Sequence, residues 1–436
     1  MPRVSPPPAR RAPPPAEAET SVRRLHVVYL AVIAVLVLIV VIVGGRAMRA
    51  FRTMRDVEEH MGLAAGVRAS LPRPEALRVL TRGELLRERS FDEYRVEVDA
   101  IVERAAALGE FGDKPVLAAA CARALAGGKR LRPIILMEIS RAATLARARA
   151  EREKGRPPPP AVDPADAALC VECLHASSLV IDDLPEFDDD ATRRGLPSLH
   201  AEVSPAVAQM AALSLLASAF HDICRQIDWI RDHCPEFRNV DRIGTRLCGE
   251  VTRAIGAMGA AGGQYMDACV SEEDLFHDHG PEAVETIMRL KTATFFEIAF
   301  IGGWVFAGGA PERVPELRAA GRHFGLAFQV ADDLGDMAQD AARQREGKPG
   351  WNYANHYGPE AAERTVAQNL NACRLMLDEF SLFTPLWREI YSKVWNMAEE
   401  RLEPKNAAQK EGQELQPSSA KMTVDSPSAA GAQPSK

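Results

Sequence analysis

Two groups of aspartates are the first residues whose type and spacing can do chemistry. Asp182, Asp183 and Asp188 fall within Ile181–His200 (IDDLPEFDDDATRRGLPSLH), and Asp332, Asp333 and Asp336 within Phe324–Asp336 (FGLAFQVADDLGD). Carboxylates brought together repel one another and raise their own pKa values unless a cation lies between them. Hard oxygen ligands of this kind suit Mg²⁺, which keeps several waters and commonly shares its shell with a substrate phosphate. Taken alone, the first group also reads as a solvated acidic loop. The second group shifts the balance towards a metal-bound polyphosphate.

Basic residues supply the complement. Gly127-Gly128-Lys129-Arg130-Leu131-Arg132-Pro133 sets Lys129 and Arg132 three apart, behind two glycines that let backbone approach an anion. Pro133 suits a first helical turn. Arg193 and Arg194 follow the first acidic group with planar donor forks that match phosphate oxygens, and Lys291-Thr292 sits in another apolar stretch.

The elements that must position these groups are helices. Ala168–Ile181 reads as an apolar helix with Glu172 and His175 as its polar points, delivering Asp182 and Asp183 to a C-terminal end where the macrodipole disfavours anions. Pro185 interrupts further regular helix, so Asp188 can fold back towards Asp182. The second group is expected to end an apolar helix likewise, with Asp332 and Asp336 on one face. From about 91 to 402 the pattern is helical throughout, broken by Pro and Gly and by the polar insertion Glu151–Pro160 (EREKGRPPPP), which predicts one all-α domain.

Around this domain the composition changes. Residues 1–24 are rich in Pro, Arg and Ala and read as a disordered tail, as do the Gln, Ser, Pro and Lys of 403–436. Within 25–45, Val27–Gly45 runs nineteen residues without a charge. At about 1.5 Å per residue such a helix matches a hydrocarbon core, so a membrane anchor is expected there, with 46–90 as a juxtamembrane connector. Arginines on both sides leave the positive-inside rule nearly tied. The 436 residues carry a net charge of −7, but the first 55 hold nine Arg and two Glu, so the remainder is at −14. An acidic body excludes an ordinary nucleic-acid binder. Eight Cys are too few for a disulfide scaffold, and Cys170 and Cys173 read as an ordinary pair one helical turn apart. His277-Asp278-His279 reads as part of a solvated loop, and Trp351-Asn352-Tyr353 as packing residues.

The set GGKRLRP, ECLHASSLVIDDLPEFDDDATRRGLPSLH, GGQYMD (Gly262–Asp267), Lys291-Thr292 and GLAFQVADDLGD resembles the trans-isoprenyl diphosphate synthases in order and spacing, over about residues 95–375. These enzymes elongate allylic diphosphates with isopentenyl diphosphate. The resemblance implies an all-α bundle around a central cavity, a homodimer, and up to three Mg²⁺ ions shared with the allylic diphosphate. It implies Asp182, Asp183 and Asp188 as the first Mg²⁺ motif and Asp332, Asp333 and Asp336 as the second. Lys129, Arg132, His175 and Arg194 match the residues that hold isopentenyl diphosphate. Arg193, Lys291, Thr292 and Gln329 match those facing the allylic diphosphate and its carbocation, and Lys348 matches a later diphosphate contact in a shortened region. Ile181, Ala191-Thr192 and Ala212-Leu213 depart from the usual pattern, bearing on rate rather than reaction type.

Product length in such enzymes is set by side chains upstream of the first Asp pair. Ser177 and Ser178 stand there, with Leu174 and Cys173 deeper, so a twenty-carbon product, geranylgeranyl diphosphate, is expected. The alternatives are a farnesyl or longer polyprenyl synthase, a terpene cyclase, or a non-catalytic regulatory subunit. A cyclase would carry a different second metal motif, and a regulatory subunit usually loses one Asp group. The catalytic domain is expected on the cytosolic side of its membrane. The resemblance to anchored synthases of some large DNA viruses makes a host endoplasmic reticulum the candidate.

Overall fold

The computed structural model describes residues 78–237, 240–345 and 350–399. The expected anchor at 25–45, both tails, most of the connector and Lys348 lie outside the described residues. Within them the chain forms α1 (Arg82–Leu86), α2 (Phe91–Ala107), α3 (Pro115–Leu125), α4 (Leu131–Glu153) and α5 (Ala165–Asp182). A short antiparallel hairpin of β1 (Thr192–Arg193) and β2 (Leu196–Pro197) follows. Then come α6 (Leu199–Glu202), α7 (Pro205–His233), α8 (Val240–Ile255), α9 (Ala260–Cys269), α10 (Glu272–His279) and α11 (Ala283–Met288). A π-helical turn over Arg289–Ala293 leads into α12 (Thr294–Phe306), and α13 (Val314–Arg345), α14 (Tyr353–Tyr357), α15 (Pro359–Glu379) and α16 (Pro385–Glu399) complete the bundle. The expected all-α architecture holds.

The core follows from sequence. α5 and α12 are apolar on nearly every side, which suits helices surrounded by others. α5 lies along α7, and α12 packs between α4 and α13. Phe296, Phe300, Phe324 and Trp387 are fully buried there. Their rings meet at centroid distances of 5.2 to 6.2 Å, in the tilted and edge-on arrangements that aromatic quadrupoles favour.

The few charges inside α5 are paired. Glu172 accepts from Arg130 at 2.6 Å, and Asp166 accepts two bonds from Arg225 at 2.8 Å. Arg225 also reaches Glu110 at 2.8 Å and Asp222 at 3.2 Å. Cys170 and Cys173 are buried free thiols on this helix.

The last part of the 46–90 segment is laid onto the domain. Val79 pairs with Val162 in an isolated antiparallel bridge, Leu80 N–H donates to Ala161 at 2.7 Å, and Asp163 N–H to Arg78 at 3.0 Å. Thr81 and Glu84 then form a capping box that starts α1, whose Leu85 is buried.

Two local expectations are corrected. The second acidic group does not end its helix: α13 continues past Asp336 to Arg345 because MAQDAARQR contains no helix breaker. His277 and His279 lie on α10 rather than in a loop, because Ser271 caps Asp274 N–H at 3.2 Å.

Candidate active site

The C-terminal end of α5 delivers the first acidic group as expected. Asp182 is its last residue and Asp183 its C-cap. Past Pro185 the chain turns back, so that Asp188 N–H donates to the Asp182 carbonyl at 3.0 Å. Burial pushes the Asp182 carboxyl up to about 6, with Lys291 opposing and Asp188 adding to the rise. Burial raises Asp188 as well, again against Lys291. These are buried carboxylates that Lys291 offsets only in part, and a bound cation would favour their charged form further.

Asp183 has a different task. Arg193 Nε donates to it at 2.8 Å and Nη2 closes on the same oxygen. The hairpin that places Arg193 so is closed by Arg194 and Gly195 at positive φ.

Lys291 lies in the π-helical turn, a distortion that recurs at functional sites. Its ammonium donates to Asp267 at 2.7 Å. Burial lowers its pKa, but Asp182, Asp267 and Asp188 outweigh that and raise it, so the lysine is firmly charged. Gly263 makes this approach possible: a Cβ there would stand 2.4 Å from Lys291 N. Thr292 Oγ1 donates to Gln329 Oε1 at 3.0 Å, and Gln329 Nε2 donates to Asp333 at 2.8 Å.

The second acidic group divides. Asp332 and Asp336 share one face of α13 and are part-exposed. Asp333 is buried on another face, taking Gln329 on one oxygen and Tyr353 N–H at 2.6 Å on the other. Burial pushes it up to about 8 against those two bonds. Its carboxylate is thus spent inside the fold, positioning Gln329 and the segment after α13. Asn352 of that segment bonds the Asp333 carbonyl and Asp340, both at 2.8 Å, so Trp351-Asn352-Tyr353 does more than pack.

A cationic corner stands at the start of α4. Arg132 Nη1 contacts His175 Nε2 at 3.0 Å. Arginine can only donate, so His175 Nε2 accepts and the imidazole proton sits on Nδ1. Burial drives His175 well below its ordinary value, keeping it neutral, and brings Arg132 down to about 10. Arg132 Nε and His175 Nδ1 are both buried without a hydrogen-bond partner. Arg194 donates to the Ala126 and Gly127 carbonyls at 2.9 and 3.0 Å and lies against Gly128, where a Cβ would meet Arg194 Cζ at 2.7 Å. Lys129 lies over the Phe328 ring at 5.7 Å. Orphaned buried donors beside uncompensated guanidiniums fit a multiply charged anion.

Ser177 and Ser178 sit on α5 above Leu174 and Cys173. Ser177 donates to the Ala212 carbonyl of α7 at 2.9 Å, and Ser178 to the His175 carbonyl at 2.9 Å. Ser177 therefore faces α7.

The model for the family described as Polyprenyl synthetase matches residues 114–352. The chain belongs to the polyprenyl synthetase family. A trans-prenyltransferase of African swine fever virus is 39% identical over 313 residues, covering 72% of this chain and 86% of that protein. The chloroplastic heterodimeric geranylgeranyl pyrophosphate synthase large subunit 1 of Arabidopsis thaliana is 34% identical over 218 residues, 50% of this chain and 53% of that one. Among solved structures, a geranyltranstransferase of Thermotoga maritima superposes with a TM-score of 0.52 at 21% identity, covering 71% of this chain and all of that one. A geranyltransferase from Legionella pneumophila gives 0.53 at 22% identity, covering 70% and 95%. By kinship this synthase is an enzyme, a trans-prenyltransferase, and its fold is theirs.

Several residues of the synthase site escaped the sequence reading. Asp267 was visible only as the end of GGQYMD, and its link to Lys291 needs the π-helical turn. Asp190 holds Arg193 at 3.4 Å and Arg343 at 3.2 Å. Asp340 and Arg343 extend the Asp332/Asp336 face, and that periodicity was available once α13 was known to continue.

Proposed function

We propose that this trans-prenyltransferase condenses isopentenyl diphosphate with five-, ten- and fifteen-carbon allylic diphosphates, in a Mg²⁺-dependent reaction, to make geranylgeranyl diphosphate. The observation that carries the reading is the pairing of two unlike corners: buried carboxylates at Asp182 and Asp188, which Lys291 offsets only in part, and orphaned donors at Arg132 and His175.

The donors around the acidic corner fit Mg²⁺ in kind, being carboxylate oxygens. Among the described residues no three His, Cys, Asp or Glu side chains converge to hold an ion alone. That suits a metal taking one or two carboxylates and completing its shell with water and diphosphate oxygens. Asp182 and Asp188 on one side and Asp332 and Asp336 on the other would hold such ions, each ion taking one or two carboxylates, and Asp333 would support them from behind. Bound there, Mg²⁺ would act as a Lewis acid that stabilises the departing diphosphate.

The chain's own residues do the rest. Lys291 and Arg193 bind the allylic diphosphate, and the Thr292–Gln329 pair turns its oxygen dipoles towards the allylic cation left when the carbon–oxygen bond breaks. Arg132, His175, Arg194 and Lys129 hold isopentenyl diphosphate so that its double bond attacks that carbon. A proton then leaves the new chain, with the released diphosphate as the acceptor. The small Ser177 and Ser178 leave growth to be stopped deeper, at Leu174 and Cys173, which supports a twenty-carbon product.

We assign a second copy of this chain to the open face of α7. Ala206, Met210, Leu213, Ala217, Phe220 and Cys224 recur there at alternating spacings of four and three, and each is exposed or half-buried. Such a seam is what two helices need to interlock. By length and composition α7 is also the one helix among the described residues able to cross a membrane, but its packing on α5 makes it a bundle member. The anchor we assign instead to Val27–Gly45, single-pass, with the catalytic domain on the cytosolic side of an endoplasmic-reticulum-type membrane.

The test is incubation of the full chain with Mg²⁺, labelled isopentenyl diphosphate and each allylic starter, with products sized by chromatography. A twenty-carbon diphosphate is expected, lost with EDTA and with Asp182→Ala. No condensation from folded protein would overturn the reading, and a fifteen-carbon end product would overturn the Ser177/Ser178 argument.

A further inference from the structure

Beyond the residues matched by motif, α13 carries a cation into the mouth of the site. Arg343 follows Asp332, Asp336 and Asp340 at helical spacings of four, four and three, so all four share a face. Its Nη1 lies 3.2 Å from each carboxylate oxygen of Asp190, which belongs to the loop after α5. The contact therefore joins the two acidic segments.

Asp190 is shared. Arg193 Nη2 reaches the same Oδ2 at 3.4 Å while also holding Asp183. Asp190 therefore gathers two guanidiniums at a single carboxylate, Arg193 from the hairpin and Arg343 from α13. Arg343 also acts on the neighbouring carboxylates, lowering Asp188 and Asp340 against the burial that raises both. Arg343 and Asp190 are each about one-fifth exposed, the side-chain value being 22% for both, so the pair sits where a ligand can reach it. Held on one carboxylate and both within reach of solvent, the two guanidiniums present planar donors that a ligand with several negative oxygens can bridge.

We propose that Arg343 is a further diphosphate-binding residue, which together with Arg193 closes on the allylic diphosphate, and that Asp190 is the positioning residue that aims both. The proposal rests on the trans-prenyltransferase reading above and deepens it. A guanidinium at the far end of the acidic face supplies planar donors that a lysine ammonium cannot reproduce in geometry. The arginine thus adds a clamp on the leaving diphosphate from α13 itself.

The experiment compares full-length wild type, Arg343→Gln and Arg343→Lys. It measures KM for the fifteen-carbon allylic diphosphate and for isopentenyl diphosphate, calorimetric binding of inorganic pyrophosphate with Mg²⁺, and Tm. Arg343→Gln is expected to raise the allylic KM about 10-fold and to weaken pyrophosphate binding similarly, as loss of one charge-assisted contact should. The isopentenyl KM and Tm should stay near wild type, and Arg343→Lys should recover part of the loss. Equal shifts in both KM values, a fall in Tm alone, or unchanged pyrophosphate binding would overturn the role of Arg343. Failure of wild type to condense any starter would instead overturn the reading beneath it, so the two failures are distinguishable.

Discussion

At the scale of single residues, the site depends on approaches that only particular side chains allow. Gly128 has φ of +96° and no room for a Cβ beside the Arg194 guanidinium. Gly128→Ala combines backbone strain with displacement of the Arg194 guanidinium. It should cost about 1 to 3 kcal/mol of stability. We expect it also to raise the KM for isopentenyl diphosphate about 10-fold while leaving that for the allylic substrate nearly unchanged. Thermal unfolding and steady-state kinetics check this, and an unchanged isopentenyl KM would remove Arg194 from that subsite. The residues themselves were legible because carboxylates and guanidiniums in short order carry their chemistry in the sequence. What was not legible was their division of labour. Asp332, Asp333 and Asp336 look equivalent in a string of letters, and helical phase alone turns Asp333 inward onto Gln329 and Tyr353.

At the scale of elements, helix boundaries followed from breakers where breakers exist. Pro185 ends α5 and was readable. Nothing ends α13 at Asp336, and the expectation that it stops there borrowed a symmetry with α5 that the sequence lacks. The π-helical turn at Lys291 was also out of reach, since one extra residue in a helical turn depends on packing with α9 and α13 rather than on local propensity. The seam on α7 gives the prediction at this scale. Leu213→Asp places a charge in the middle of six small or apolar positions that recur every three or four residues. If the proposed pairing through α7 holds, the substitution should shift the protein from dimer to monomer in sedimentation experiments, with secondary structure retained. A dimer that persists at unchanged affinity would place the partner elsewhere.

At the scale of the whole molecule, the buried charges set how stability responds to pH. Burial pushes the Asp222 carboxyl up to about 8, with Arg225 only partly opposing because Asp166 and Glu110 already engage it. The folded protein then holds a proton that the unfolded chain, with an ordinary carboxyl near 3.8, has released. Stability from this group is complete below the unfolded value and is lost as pH rises towards 8. Asp222→Asn should therefore flatten the fall in Tm between pH 6 and 8.5, and an identical slope in both proteins would refute the assignment. The all-helical plan was legible from composition and breakers, whereas this proton inventory needed the folded neighbours. The paired backbone at Arg78–Leu80 and Ala161–Asp163 has one more consequence, which is mechanical. Tension on the chain before Arg78 would load those hydrogen bonds at the start of α5, some 26 Å along the helix axis from Asp182 at about 1.5 Å per residue. A tug from that side is taken up first at the end of α5 opposite Asp182, before it can reach the reacting carbons.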